Sequence, residues 1–250
     1  MEGVRVPPSG RQPDGSGNRQ EDMVSGSESD FLSGVFAQLV DNKDLPKYQF
    51  ERAIDGFIGF FLPDIIGALM GGRAELVTQE LPLKKENNQS TNVDYVLLLH
   101  GDSRPSWVFV ELKTDTRSFR RRQDQIYCEL ILSDRRMDSL MHDMESIKKA
   151  STQGKKYAHQ MGKVEKHKDK YSCPIRVAYL ALEPHQLTKA VCRGCPREKA
   201  ECAPSDLNED EFRSFTFHDD LQNLHLRDWA EQWELFRTKV ISRLENPHHK

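Results

Sequence analysis

The chain reads as an α/β protein, a small mixed β-sheet flanked by helices, on three observations. Apolar residues recur at helical spacing from Phe31 to Phe61 and again from Leu226 to Leu244. Strand-length apolar runs occupy residues 93–99, 107–112 and 175–182. Between them, helix formers dominate from Ser118 through Met144. The resulting order is helix, strands, helices, strand, cysteine loop and helix, which fits an α/β sandwich.

The elements follow in sequence. Residues 1–27 are rich in Gly, Ser, Pro, Gln and Asp with almost no large apolar side chains, and are expected to form a disordered tail ahead of one domain over 28–250. Ser29 or Asp30 caps the first helix, which carries Phe31, Leu32, Val35, Phe36, Leu39 and Val40. Phe50, Ala53, Ile54, Phe57, Ile58 and Phe61 predict a second helix, which Pro63 is expected to end or kink. The pattern changes after Gly71-Gly72. Leu76 and Val77 precede Pro82, residues 84–90 form a polar turn, and the cluster Gly101-Asp102-Ser103-Arg104-Pro105 joins two apolar runs as an antiparallel hairpin. A strongly basic segment spans 148–170, strand character returns near Val177, Tyr179 and Leu180, and a closing helix presents Trp229, Trp233, Phe236, Val240 and Leu244 on one stripe.

Composition bounds the function. With 250 residues, 37% hydrophobic, the chain can bury one substantial core. Lys+Arg number 36 and Asp+Glu 39, a formal charge of -3, so a nucleic-acid surface must be a local patch. No apolar run approaches the length needed to span a bilayer and the N-terminus lacks a signal-peptide core, so a cytoplasmic or nuclear location without a membrane is expected.

The chemistry concentrates in Asn92-Val93-Asp94 and Glu111-Leu112-Lys113. Alternation along a strand puts Glu111 and Lys113 on one face, and Asp94 on a paired strand comes close to Glu111. Two carboxylates can bind magnesium or manganese and leave positions for water and a phosphate oxygen, while a lysine handles the nucleophile or offsets phosphoryl charge. These groups are expected to converge on one solvent-accessible pocket. Gln123 and Tyr127, four residues apart, project from one face of the following helix.

With these residues in this order, the sequence resembles the PD-(D/E)XK nuclease superfamily and, within it, the RecB-type exonuclease branch, over roughly residues 47–182. The resemblance implies a restriction-endonuclease-like mixed sheet and a metal-dependent nuclease acting on DNA more than RNA. It implies Asp94 and Glu111 as metal ligands, with Leu112 counted beside them, Lys113 as the catalytic lysine, and Gln123 and Tyr127 as positioning residues. Val93 replaces the proline that names the family's first motif. A further acidic ligand from the first core helix is assigned to Glu51, with Asp55 and Glu80 as alternatives. The same fold used for binding without cleavage is the alternative function.

Two features lie around this core. Arg117, Arg120, Arg121 and Arg122 stand where the Gln123 helix starts, suited to phosphate contacts, and lysines 148–170 could extend the track. Tyr157 and Tyr171 are candidates to stack on bases. Cys192 and Cys195, with Cys202 following, have metal-binding spacing in a loop at 185–205. Cys173 is the candidate fourth ligand, ahead of Cys128 and His185. Zinc is the first choice for this site, and an iron-sulfur cluster, which some RecB-type nucleases hold, the second.

Overall fold

The structure is a computed structural model that describes residues 28–42, 50–84, 90–101, 104–114, 119–184, 190–191, 201–202 and 211–244. The tail expected at 1–27 and most of the loop expected at 185–205 lie outside the described residues.

The fold is α/β, with a five-stranded mixed sheet between two helical layers. The chain begins with α1 (Glu28–Asp41) and α2 (Phe50–Met70). Three antiparallel strands follow: β1 (Arg73–Lys84), β2 (Ser90–His100) and β3 (Pro105–Lys113). Then come α3 (Arg121–Leu132), α4 (Met137–Ala150) and α5 (Gly154–Glu165), which lead to β4 (Ile175–Ala181), parallel to β3. A separate two-stranded ribbon pairs β5 (Ala190–Val191) with β6 (Glu201–Cys202). The last sheet strand is β7 (Phe212–Thr216), parallel to β4, and α6 (Ala230–Lys239) closes the chain. Sheet order is β1-β2-β3-β4-β7.

Alternation along the strands divides the core in two. Tyr95, Leu97, Leu99, Val108, Val110, Leu112, Ala178 and Leu180 pack on the layer of α1, α2 and α6. Val96, Leu98, Trp107, Phe109, Val177 and Tyr179 pack on α3, α4 and α5.

Several sequence expectations change. Pro63 neither ends α2 nor leaves it short, because the helix runs through it to Met70. Ile54, Ile58, Phe61, Leu62, Ile65 and Ile66 are all buried. Each such side chain contributes about 1.5–3 kcal/mol on burial, so the face outweighs the roughly 3 kcal/mol cost of an interior proline. The same helix overturns the expectation about bilayer-length segments: residues Arg52–Met70 are long and apolar enough to cross a membrane by length and composition. A count of uninterrupted runs misses it because Asp55 and Asp64 break the run, and much of the helix is buried inside the protein. Pro82 lies inside β1, where an edge strand tolerates the missing N–H. The helical stretch after Ser118 is two helices separated at 133–136. β7 and the π-helical turn Phe217–Leu221 were not expected. Trp229 leaves the closing stripe: its ring is exposed and its backbone is left-handed, φ 56, while Trp233, Phe236, Val240 and Leu244 are buried.

The turn from α2 into β1 depends on Gly72. Its φ is +151, and a Cβ there would lie 2.5 Å from the His100 carbonyl oxygen across the β1–β2 ladder. Gly72→Ala should therefore destabilise the fold by at least about 2 kcal/mol, whereas Gly56→Ala, in open space on α2, should stabilise it by roughly 0.5–1 kcal/mol. Urea unfolding of the two variants beside the parent distinguishes a strained turn from a general intolerance of added methyls.

Candidate functional site

The site forms where the sheet opens. In β2 only Asp94 lacks a partner in the register: Gln79 pairs with Tyr95 and Leu81 with Val93, leaving Glu80 opposite Asp94, and pairing with β3 stops at Tyr95 and Val110. Glu80 is left-handed, φ 53, and Gln160 Nε2 of α5 donates to the carbonyls of both Gln79 and Glu80 at 2.9 Å. Past Val110, β3 pairs only with β4, as far as Lys113 and Ala181. The Leu112 N–H is left without a β2 carbonyl and donates instead to Asp94 Oδ2 at 2.8 Å. A side chain thus replaces a rung of the ladder, as the near-complete pairing of buried amides requires.

Glu111 is the centre of the cluster. It has no exposed surface, and a lone carboxylate there would be strongly disfavoured. Lys113 Nζ donates to its Oε2 at 2.9 Å, a contact made possible by the two-residue strand repeat, and the Tyr127 hydroxyl donates to its Oε1. Tyr127 rests edge-on against Tyr179, which the parallel register sets beside Glu111. The Tyr179 hydroxyl donates to the buried Asp124 at 2.9 Å. Gln123 Nε2, at the start of α3, reaches the Asn92 carbonyl at 3.4 Å, which ties the helix to the strand carrying Asp94.

Burial first, and the Glu111 charge second, push the Asp94 carboxyl up to about 7, while Lys113 and the Leu112 N–H pull the other way. Both tyrosine hydroxyls are raised by burial and then by nearby carboxylates, Tyr127 chiefly by Glu111 and Tyr179 chiefly by Asp124, so each stays a protonated donor.

The structure brings Asp94, Glu111, Lys113 and Tyr127 into one cluster and sets Gln123 at its edge. The expected open pocket is different: Lys113 is only 7% exposed and Asp94 alone of the cluster keeps intermediate exposure, with Tyr127 bonded to Glu111, Tyr179 beside it and Phe119 stacked on Tyr179. Asp124 and Tyr179 were missed. Tyr179 reaches the site only through parallel β3–β4 pairing, which spacing along the chain does not reveal.

Other sequence candidates are placed as follows. The side chain of Glu51 lies outside the described residues. Asp55 accepts the Tyr95 hydroxyl in the opposite layer, and Glu80 pairs with Lys156 at the surface, so neither alternative joins the cluster. Arg120 and Arg122 are exposed at the N-terminus of α3, while Arg117 and the side chain of Arg121 lie outside the described residues. In the basic segment, Lys148, Lys156 and Lys170 pair with Glu145, Glu80 and Asp169, and Lys155, Lys163, Lys166 and Lys168 are exposed. Tyr171 packs against the α3–α5 core. Cys192, Cys195 and the side chain of Cys202 lie outside the described residues; Cys173 is half-buried and Cys128 buried. Among the described residues no three His, Cys, Asp or Glu side chains gather as a metal site.

Comparison with known protein families, curated proteins and solved structures finds no match to this chain.

The site carries a pH signature of its own. Folding takes up a proton at Asp94 between the ordinary value of 3.8 and about 7, so this group lowers stability progressively as pH rises through that window and leaves it level above. Asp94→Asn should remove this slope and gain about 1–3 kcal/mol on the parent above about pH 7. Urea unfolding across pH checks it; a parallel offset between the two curves would mean that Asp94 titrates normally in the fold.

Proposed function

We propose that the chain is a metal-dependent nuclease that hydrolyses phosphodiester bonds, with DNA the expected substrate. The observation that carries this is the close packing of Asp94 on Glu111 beside Lys113 at an opening in the sheet. Two carboxylates held against their mutual repulsion, with only oxygen donors on offer, fit a hard divalent cation such as magnesium or manganese. Asp94 and Glu111 would hold it, with the Leu112 main chain alongside. When bound, the ion would supply a polarised phosphate oxygen and a water of lowered pKa.

The remaining chemistry falls to side chains. Lys113, anchored on Glu111, would orient the attacking water and offset charge on the pentacovalent phosphate. Tyr127 fixes the rotamer of Glu111 and, staying protonated, withdraws no charge-neutralising capacity from the lysine. Arg120 and Arg122 at the exposed start of α3 suit contacts with flanking phosphates.

One observation favours a second reading, a nuclease-like fold that binds nucleic acid or a protein partner without cutting. Glu111 is fully buried with both oxygens already bonded to side chains, so a metal would have to share or displace those bonds. A structural zinc or, second, an iron-sulfur cluster on Cys192, Cys195, Cys202 and Cys173 remains part of the proposal; metal analysis of protein purified without added metal tests it.

Incubation with single- and double-stranded DNA and RNA, in magnesium, manganese or chelator, separates the two readings. Cleavage that needs the metal supports the first; tight binding with intact substrate in every metal supports the second. Lys113→Met should lower kcat by at least about a hundredfold with KM within a few-fold, since its charge counts most in the transition state. Glu111→Gln keeps the shape of the buried site and should also abolish turnover. Unchanged cleavage in both would end the proposed mechanism.

A further inference from the structure

On the face of the protein opposite the carboxylate cluster, α1, α2 and the start of α6 enclose an open cavity of about 370 Å³. Leu32, Phe57, Phe60, Phe61 and Trp229 line it, and Glu28 stands at its edge. Two of these rings are turned to solvent, Phe60 at 51% and Trp229 at 52% exposed, and they meet edge-to-face with centroids 5.2 Å apart. Phe31 on α1 is 70% exposed as well. Single exposed apolar residues are ordinary, but aromatic rings gathered on a concave surface are the mark of a docking site.

The backbone supports the same view. Trp229 holds a left-handed conformation, φ 56, that a bulky residue rarely adopts, and it does so with its ring outside while Trp233 one turn on is buried.

Charge selects the occupant. Among the described residues lining the cavity the one charged side chain is Glu28. Asp228 adjoins Trp229 in the chain, and Asp64 lies one helical turn beyond Phe60; the two are near enough that Asp228, after burial, raises the Asp64 carboxyl. Arg227, just before Asp228, is exposed. An apolar groove with Glu28 in its wall and Asp64 and Asp228 beside its exposed rings complements apolar anchors flanked by cations.

We propose that this groove binds a basic amphipathic helical segment of a protein partner, with one or two large apolar side chains filling the cavity and flanking Lys or Arg residues facing Glu28, Asp64 and Asp228. The groove between α1 and α2 has the form used for helix-in-groove recognition, and the cavity volume lies near the low end of the about 300–1,000 Å³ found for ligand pockets, right for anchors and small for a whole cofactor. This surface is independent of the nuclease reading, since the sheet separates it from Glu111.

The test uses the full chain and two synthetic amphipathic helical peptides, identical in their leucine face and carrying either lysine or glutamate on the polar face. Trp107 and Trp233 are buried, so acrylamide quenching of fluorescence reports mainly Trp229. The lysine peptide should protect Trp229 and bind at least about tenfold more tightly than the glutamate peptide. Phe60→Ser should abolish the protection; Trp229→Gln, which removes the reporter, should abolish binding followed by the fluorescence anisotropy of a dye-labelled lysine peptide, and Asp64→Asn with Asp228→Asn should weaken the preference for lysine in the same assay. Absence of binding, equal binding of the two peptides, or binding that survives Phe60→Ser and Trp229→Gln would overturn the proposal. Self-association of the chain that these two variants abolish would also overturn it, in favour of a second copy as the occupant.

Discussion

The burial of one carboxylate organises this half of the molecule. Glu111 lies wholly inside, and a charge in that position is tolerated only with partners on each oxygen. One partner, Lys113, comes from the same strand and costs the fold little; the other, Tyr127, must be delivered by a helix. The seating of α3 on the sheet, the packing of Tyr179 and Phe119 around it, and the tie from Gln123 to Asn92 all follow from bringing that hydroxyl to that oxygen. An ion pair of this kind is a weak source of net stability and a strong source of specificity. Misplacing α3 would strand a buried charge.

The sheet gives the two faces different roles. One side is packed almost entirely by apolar and aromatic groups, with Phe36, Phe57, Phe61, Trp233 and Phe236 in mutual ring contact. Such a layer supplies much of the hydrophobic contribution. The other side has a comparable apolar cluster but also holds Asp94, Glu111, Lys113, Asp124, Tyr127 and Tyr179, groups whose charge states depend on one another. Stability and chemistry are thereby largely separated across a thickness of one strand layer.

How much of this was legible in the sequence depended on whether the signal was local. The β2–β3 hairpin, α1 and the facing of Glu111 with Lys113 follow from periodicity and turn residues within a few positions, and the structure has them. Asp94 beside Glu111 needed only hairpin register. Tyr179 and Asp124 are far apart in the chain and meet through a parallel pairing that no local pattern encodes. Pro63 misled because its local penalty was weighed without the buried face around it, and Trp229 because a stripe at helical spacing was extended one turn past the true start of α6. The openness of the site was misjudged for a similar reason: facing is a strand property, whereas access depends on what a distant helix lays over it.

The unpaired residue in β2 also divides the sheet mechanically. From Ser90 to Val93 the strand pairs only with β1, through Leu81 to Lys84, because β3 has already turned its hydrogen bonds toward β4; Gln123 of α3 adds a bond to the Asn92 carbonyl. This end of the hairpin is a two-stranded overhang, hinged at Glu80 and Asp94 and gripped at the hinge by Gln160. Opening it breaks no rung of the parallel block, though it must release the Gln123 bond and uncover Leu81, Leu83 and Val93, so amide exchange there should need less than the global unfolding that β3 and β4 report. The carboxylate that borders the cluster thus sits at the root of this overhang, where β2 leaves β3.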